Sequence, residues 1–179
     1  MSHKEEREFC KLIKSSLPTF FENQKVLDVG SGDINGNNNY LFSNCHLTRV
    51  DLTPGPNVDM VSYAHDLTFV NEHFDTIIST ECFEHDKHYV ISLQNMVRML
   101  RPGGLMLFTC ATTGRPEHGT SKNKPWQVLS TRLPNAKDYY KNLEESDIEK
   151  AINVDSIFIE HEFSEDPFHH DLFFWGIKR

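Results

Sequence analysis

Lys25-Val26-Leu27-Asp28-Val29-Gly30-Ser31-Gly32-Asp33-Ile34-Asn35-Gly36 is the stretch that decides the fold. Val26, Leu27 and Val29 are apolar and partly β-branched, which suits a buried central strand. The run then breaks into Gly30, Gly32 and Gly36. A strand ending this way gives a tight turn whose backbone can approach a ligand with no Cβ in the way. A helix after the turn would aim its unpaired N–H groups and positive dipole end at the same point. The spacing speaks against a dinucleotide site. G-x-G-x-x-G needs its third glycine where Asn35 stands, and here the glycine falls one later.

Upstream, residues 4–16 place Phe9, Leu12, Ile13 and Ser16 on one helical face, with charged Lys4, Glu5, Glu6 and Arg7 around the start. This amphipathic helix stops near Leu17-Pro18, and it is expected to pack on the sheet or cover the cleft. Downstream, Leu47–Leu52 is a second strand that ends in an acid. Asp51 stands 19 residues past Gly32, where a carboxylate at a strand end can accept both hydroxyls of a ribose cis-diol. Pro54-Gly55-Pro56 shortens the next crossover, and Val58–Val61 is a third strand leading into His65-Asp66-Leu67. Phe74–Thr80 is a further strand that runs into Glu81-Cys82-Phe83-Glu84-His85. Tyr89, Leu93, Met96, Val97 and Leu100 form the apolar stripe of a helix closed by Arg101-Pro102-Gly103-Gly104. Leu105–Cys110 is the next buried strand.

D-x-G-x-G with a later, looser glycine resembles motif I of the class I S-adenosylmethionine (AdoMet)-dependent methyltransferases. The order F-D-x-I-I-S-x-E, E-H, L-R-P-G-G resembles the segment spanning that family's fourth and fifth strands. The resemblance covers residues 25–111 and is closest to small-molecule members of the type 11 kind. It implies an α/β fold: a single doubly wound, mostly parallel Rossmann-like sheet with a C-terminal antiparallel hairpin and helices on both faces. The implied cofactor is S-adenosyl-L-methionine, beyond the carboxyl ends of the strands. Its expected contacts are Asp28, Gly30, Ser31, Gly32, Asp51, Leu52, His65, Asp66, Leu67, Thr80 and Glu81. Asp66 would accept from the adenine amino group, or else cap the turn at Thr68.

Methyl transfer needs alignment above all, with a general base helping where the acceptor is a hydroxyl. The resemblance puts the Glu84-His85 pair at the cleft mouth, and His85 is the first choice of base, since imidazole titrates near neutral pH. A helix-cap or purely structural role is the alternative for it. Glu81, four residues earlier, shares its face if the turn between them is helical, and His118 is the second choice of base. His85-Asp86-Lys87-His88 and His169-His170-Asp171 lack a recognised zinc spacing with further ligands, so no metal is expected.

The remaining composition sets outer bounds. At 179 residues the chain suits one domain. Residues 1–18 carry the N-terminal helix, 25–111 the AdoMet-binding core, 112–141 a substrate-facing loop and 142–179 a C-terminal helix and hairpin. Within that loop, residues 115–141 hold six basic and two acidic side chains in a chain of net charge −8. They are either solvated loop charges or a face turned to an anionic substrate. The overall charge disfavours a nucleic-acid partner, and no apolar run reaches membrane-span length. Residues 1–6 lack the apolar core of a signal peptide, and Cys10, Cys45, Cys82 and Cys110 are scattered, which fits reduced thiols in the cytoplasm. The expectation is an AdoMet-dependent methyltransferase acting on a small or medium-sized acceptor, anionic if the loop faces it. The alternative is a non-catalytic AdoMet-binding regulatory or scaffold protein. A nicotinamide-dependent reductase is disfavoured by Asn35.

Overall fold

The structure, a computed structural model, describes residues 4–134, 136 and 138–179. Strands β1 (Lys25–Val29), β2 (His46–Asp51), β3 (Met60–Val61), β4 (Phe74–Thr80), β5 (Leu100–Ala111), β6 (Phe158–Asp166) and β7 (Asp171–Lys178) form one sheet in the order β3-β2-β1-β4-β5-β7-β6. The pairings β1–β2, β1–β4, β2–β3 and β4–β5 are parallel. Strand β7 runs antiparallel between β5 and β6, which makes the C-terminal hairpin. The chain moves outward from β1 to β3, then returns to the other side of β1 at β4. That reversal is the doubly wound switch point.

Alternation along the strands divides the core into two layers. Leu27, Ile77, Met106 and Phe108 face a cluster under helix α2 (Tyr89–Met99), α3 (Glu145–Ala151) and the single turn α4 (Val154–Ile157). Val26, Ile78, Leu105 and Leu107 face the opposite cluster, covered by α1 (Lys4–Ser16) and the short 3-10 turns Pro18–Phe21 and Asn39–Leu41. Helices thus lie on both faces, as the doubly wound reading requires.

Two local expectations change, and one point the pattern left open is decided. The buried face of α1 is Glu6, Cys10 and Ile13, while Leu12 is 63% exposed. The helix is rotated from the apolar phase because Phe9 stacks on Phe173 (4.8 Å) from the flank of the buried face. No helix follows the glycine turn. Asp33 accepts from the Gly36 N–H (3.0 Å) and from Asn37 Nδ2 (2.7 Å), and Asn37 accepts from the Asn39 N–H (3.0 Å). Such local side-chain bonds compete with helix formation, and this asparagine-rich segment makes them instead. Finally, the Arg101-Pro102-Gly103-Gly104 turn lies inside β5, which already begins at Leu100, paired with Phe74. Arg101 Nε donates to Asp75 there at 2.5 Å.

Candidate functional site

A cavity of about 410 Å³ opens beyond the carboxyl ends of β1, β2 and β4. The glycine turn forms its floor. The Gly30 and Ser31 N–H groups both donate to the Val50 carbonyl (2.9 and 3.1 Å), which ties the turn to β2. Gly30 has φ +76°, and a Cβ there would lie 2.7 Å from Cys82 Sγ. At Gly32 a Cβ would meet Leu129 Cδ1 at 2.5 Å and Asp51 Oδ2 at 2.8 Å. Both positions need glycine, one for conformation and contact and the other for contact alone.

Asp51 closes β2 beside this turn. Its Oδ2 accepts from the Gly32 N–H (2.9 Å) and its Oδ1 from the Leu52 N–H (2.6 Å). Burial raises its pKa, and those backbone N–H groups oppose the rise. Each oxygen retains acceptor capacity toward the cavity, since a carboxylate oxygen offers two lone pairs. Gly30 and Asp51, brought together across β1 and β2, thus wall one space.

Gly30, Ser31, Gly32, Asp51, Leu52, His65, Asp66, Thr80 and Glu81 all line the cavity, and so does His85. Two expected cofactor contacts do not. Leu67 is buried in the core, where its carbonyl accepts from Asn95 Nδ2 (3.0 Å). Asp28 is wholly buried beneath the turn, with Oδ1 accepting from Asn38 Nδ2 (3.2 Å). Burial pushes its pKa up to about 7, with the Asn38 bond opposing. The Asp66 side chain, 65% exposed, stands at the cavity edge.

Glu81 has φ +51°, a left-handed conformation rare for a residue with a side chain. Its N–H donates to the Thr109 carbonyl (2.9 Å), and its Oε1 accepts from Thr109 Oγ1 (3.1 Å). Arg115 Nη2 lies 3.9 Å from Oε2. These contacts hold the Glu81 carboxylate against Thr109 and Arg115.

His85 does not stand at a cleft mouth. It is 7% exposed and follows directly on Glu84, which is wholly buried. The 3-10 turn Phe83–His85 carries both inward. The His118 ring packs edge-on against His85, centroids 5.0 Å apart, and Tyr140 covers both at 5.5 and 5.0 Å. His118 opens onto a second, shallower cavity with Arg115, Lys124 and Gln127, not onto the first. Burial lowers both imidazoles, His85 well below its usual pKa and His118 to about 4. The two candidate bases, far apart in sequence, therefore stand side by side and neutral.

The described part of the segment 112–141 folds back over the site. Gln127, Val128, Leu129 and Ser130 line the cavity and close it above Gly32. Its positive charge is partly spent: Arg115 pairs with Asp171 (3.0 Å) and Lys141 with Asp147 (2.7 Å). Lys122, Lys124 and Arg132 are exposed, and Lys137 lies outside the described residues.

Several functional positions gave no sequence signal. Glu6 of α1 is buried on the cavity wall, although among its charged neighbours it reads as helix surface. Asn57 holds the turn by donating to the Ser31 carbonyl (2.7 Å) while accepting from Ser31 Oγ through its own carbonyl (2.8 Å). Asn38 bridges Asp28 and Thr80 Oγ1 (both 3.2 Å). The run Asn37-Asn38-Asn39 marks a turn but does not say which asparagine turns inward.

Fold and cavity together define an α/β protein of the doubly wound class, with its ligand site where the strand order reverses. A family model described as a methyltransferase domain matches residues 1–147, and the chain belongs to that family of methyltransferases. Comparison with curated proteins returns no match. Among solved structures, the chain is similar to the 1,6-didemethyltoxoflavin-N1-methyltransferase of Burkholderia thailandensis, crystallised with 1,6-didemethyltoxoflavin and S-adenosylhomocysteine. The TM-score is 0.66 at 16% identity over 96% of this chain and 77% of that one. It is also similar to a phosphoethanolamine N-methyltransferase of Haemonchus contortus, at TM-score 0.64 and 17% identity over 96% of this chain but only 52% of that one. A SAM-dependent methyltransferase of Aquifex aeolicus matches at TM-score 0.62 and 13% identity, over 93% and 89% of the two chains. At these identities the likeness is one of fold.

Proposed function

We propose that this chain transfers the methyl group of S-adenosyl-L-methionine to a small or medium-sized acceptor. The observation that carries the reading is the joint wall of Gly30, Gly32 and Asp51 around one cavity, where the missing side chain at Gly32 lets Leu129 and Asp51 close in on the turn. The volume lies within the ~300–1,000 Å³ range of small-molecule sites. Asp51 would accept from the two ribose hydroxyls, and the turn from Gly30 to Gly32 would lie against the amino-acid end. The backbone and side chains of His65 and Asp66 would border the adenine. The cofactor supplies a methyl group on a sulfonium, open to in-line attack by the acceptor. What the protein adds is alignment, exclusion of water by the segment 127–130, and activation of the acceptor from the side of His85.

Among the described residues an anionic acceptor is supported by the exposed Lys122, Lys124 and Arg132, because Arg115 and Lys141 already have carboxylate partners. The division into a core at 25–111, a closing segment at 112–141 and a C-terminal hairpin belongs to the same proposal, as does a cytoplasmic location. The described residues contain no helix long and apolar enough to cross a membrane. Calorimetry tests the reading: S-adenosylhomocysteine should bind and NAD should not. Transfer of labelled methyl groups from AdoMet to a metabolite fraction, retained by the wild type and absent without the protein, separates an enzyme from a cofactor-binding scaffold.

A further inference from the structure

Glu84, His85 and His118 bring one carboxylate and two imidazoles within 4.8 Å of one another, all buried. Their polar atoms are without hydrogen-bond partners: both oxygens of Glu84, both ring nitrogens of His85 and Nε2 of His118. Glu84 is 0% exposed, His118 5% and His85 7%. An orphaned buried carboxylate is costly, and native proteins pair such groups or use them as ligands. Among the described residues no donor is hydrogen-bonded to it, and His85 Nε2 approaches only to 3.8 Å. The Lys141 N–H donates to the backbone carbonyl of Glu84, not to its carboxylate.

The surroundings orient the three groups toward a common point. His118 Nδ1 lies 3.2 Å from the Pro116 carbonyl. That contact makes Nδ1 the protonated nitrogen and leaves a lone pair on Nε2. Metal-bound histidines carry the same outer bond. His85 Nε2 stands 3.8 Å from Glu84 Oε1, near the ~3.4 Å between neighbouring ligands of a tetrahedral ion with bonds of about 2.1 Å. Gly119, at φ +62°, lets the loop bring His118 this close, since a Cβ there would lie 2.8 Å from His85 Cε1. The Tyr140 ring closes the outer side.

We infer that Glu84, His85 and His118 form a binding site for one divalent first-row transition cation, of the manganese-to-zinc series. Two imidazole nitrogens and one carboxylate oxygen suit those ions and not calcium or magnesium, which prefer all-oxygen shells. Three protein ligands leave at least one coordination position open, and of the three His85 lines the main cavity. If the methyl-transfer reading of that cavity is right, the open position would take an oxygen of the acceptor and lower its pKa. Spacing rules could not find this site, because its third ligand comes from a loop 33 residues beyond His85.

The test uses the untagged full chain, stripped with a chelator and held without any adenosyl compound, so that its outcome is independent of cofactor binding. Titration with Co²⁺ should give one equivalent with visible d–d absorption, displaced by Zn²⁺ and unaffected by excess Mg²⁺. Glu84→Gln and His118→Ala should each weaken Co²⁺ binding at least tenfold. Either variant suffices if the other does not fold. His169→Ala, in the more exposed group Glu5, Asp166 and His169, should leave it unchanged. No Co²⁺ binding, equal binding in both site variants, or loss only in His169→Ala overturns the proposal.

Discussion

At the residue scale the site rests on Asp51, whose carboxylate is fixed by the Gly32 N–H of the glycine turn on the cavity wall. Asp51→Ala should weaken S-adenosylhomocysteine binding by roughly 1.5–3 kcal/mol, the range for a hydrogen bond to a charged group. Calorimetry that finds unchanged affinity removes Asp51 from the site. Gly30 carries a different burden. An alanine there takes a left-handed conformation costing roughly 1–2 kcal/mol and meets Cys82 at 2.7 Å. Gly30→Ala should therefore lower the unfolding free energy, measured by urea denaturation, by at least that much, as well as reducing cofactor affinity. His85 is orphaned, neutral and on the cavity wall, so His85→Ala should reduce turnover roughly 10²-fold or more while cofactor affinity stays near wild type. Equal turnover would return His85 to a packing role.

At the scale of elements, the unusual feature is the connection from β1 to β2, where a chain of asparagine bonds replaces a helix. Asn38 is the member that reaches inward, holding Asp28 and Thr80 at once. Asn38→Ala would leave the Asp28 carboxyl without its donor and should destabilise the fold by about 1–3 kcal/mol, measured by denaturant unfolding. The D-x-G-x-G pattern was legible because it depends on neighbouring residues. Whether a helix follows it was left open by the pattern, since only the bonds of Asp33 and Asn37 show what the segment prefers. The phase of α1 was misread for a related reason. Phe9 and Ile13 fit two rotations of the helix, and contact with Phe173 selects the one that buries Glu6.

At the scale of the whole molecule, burial of charge under the site makes stability depend on pH. Asp28 has its pKa raised to about 7 by burial, against an unfolded value of about 3.9. Between those values the folded chain keeps a proton that the unfolded chain releases. This group's contribution is therefore full below about pH 4 and is lost as pH rises toward about 7. Asp59, Asp147 and Asp166, with pKa values lowered, act with the opposite sign, and at lower pH. His85 and His118, lowered by burial, oppose Asp28 in the same window, so the Asp28 contribution is read as a difference: from pH 4 to 7 the unfolding free energy of Asp28→Asn should rise relative to that of the wild type. An unchanged slope in Asp28→Asn would mean that other groups set it.

The sequence by itself determined the β-strand pattern, the glycine turn, the acid closing β2 and the terminal hairpin. Each of these rests on residues adjacent in the chain or on a fixed local period. The tertiary structure alone decided which buried polar groups face one another. It set Leu67 and Asp28 into the core, drew Glu6 onto the cavity wall, paired Arg115 with Asp171, and joined Glu84 and His85 to His118. These are contacts between segments distant in sequence, formed when the sheet stacks its strands out of chain order and the loop closes over their ends. A linear pattern carries no record of such encounters, because their energy comes from burial and pairing that exist only after folding.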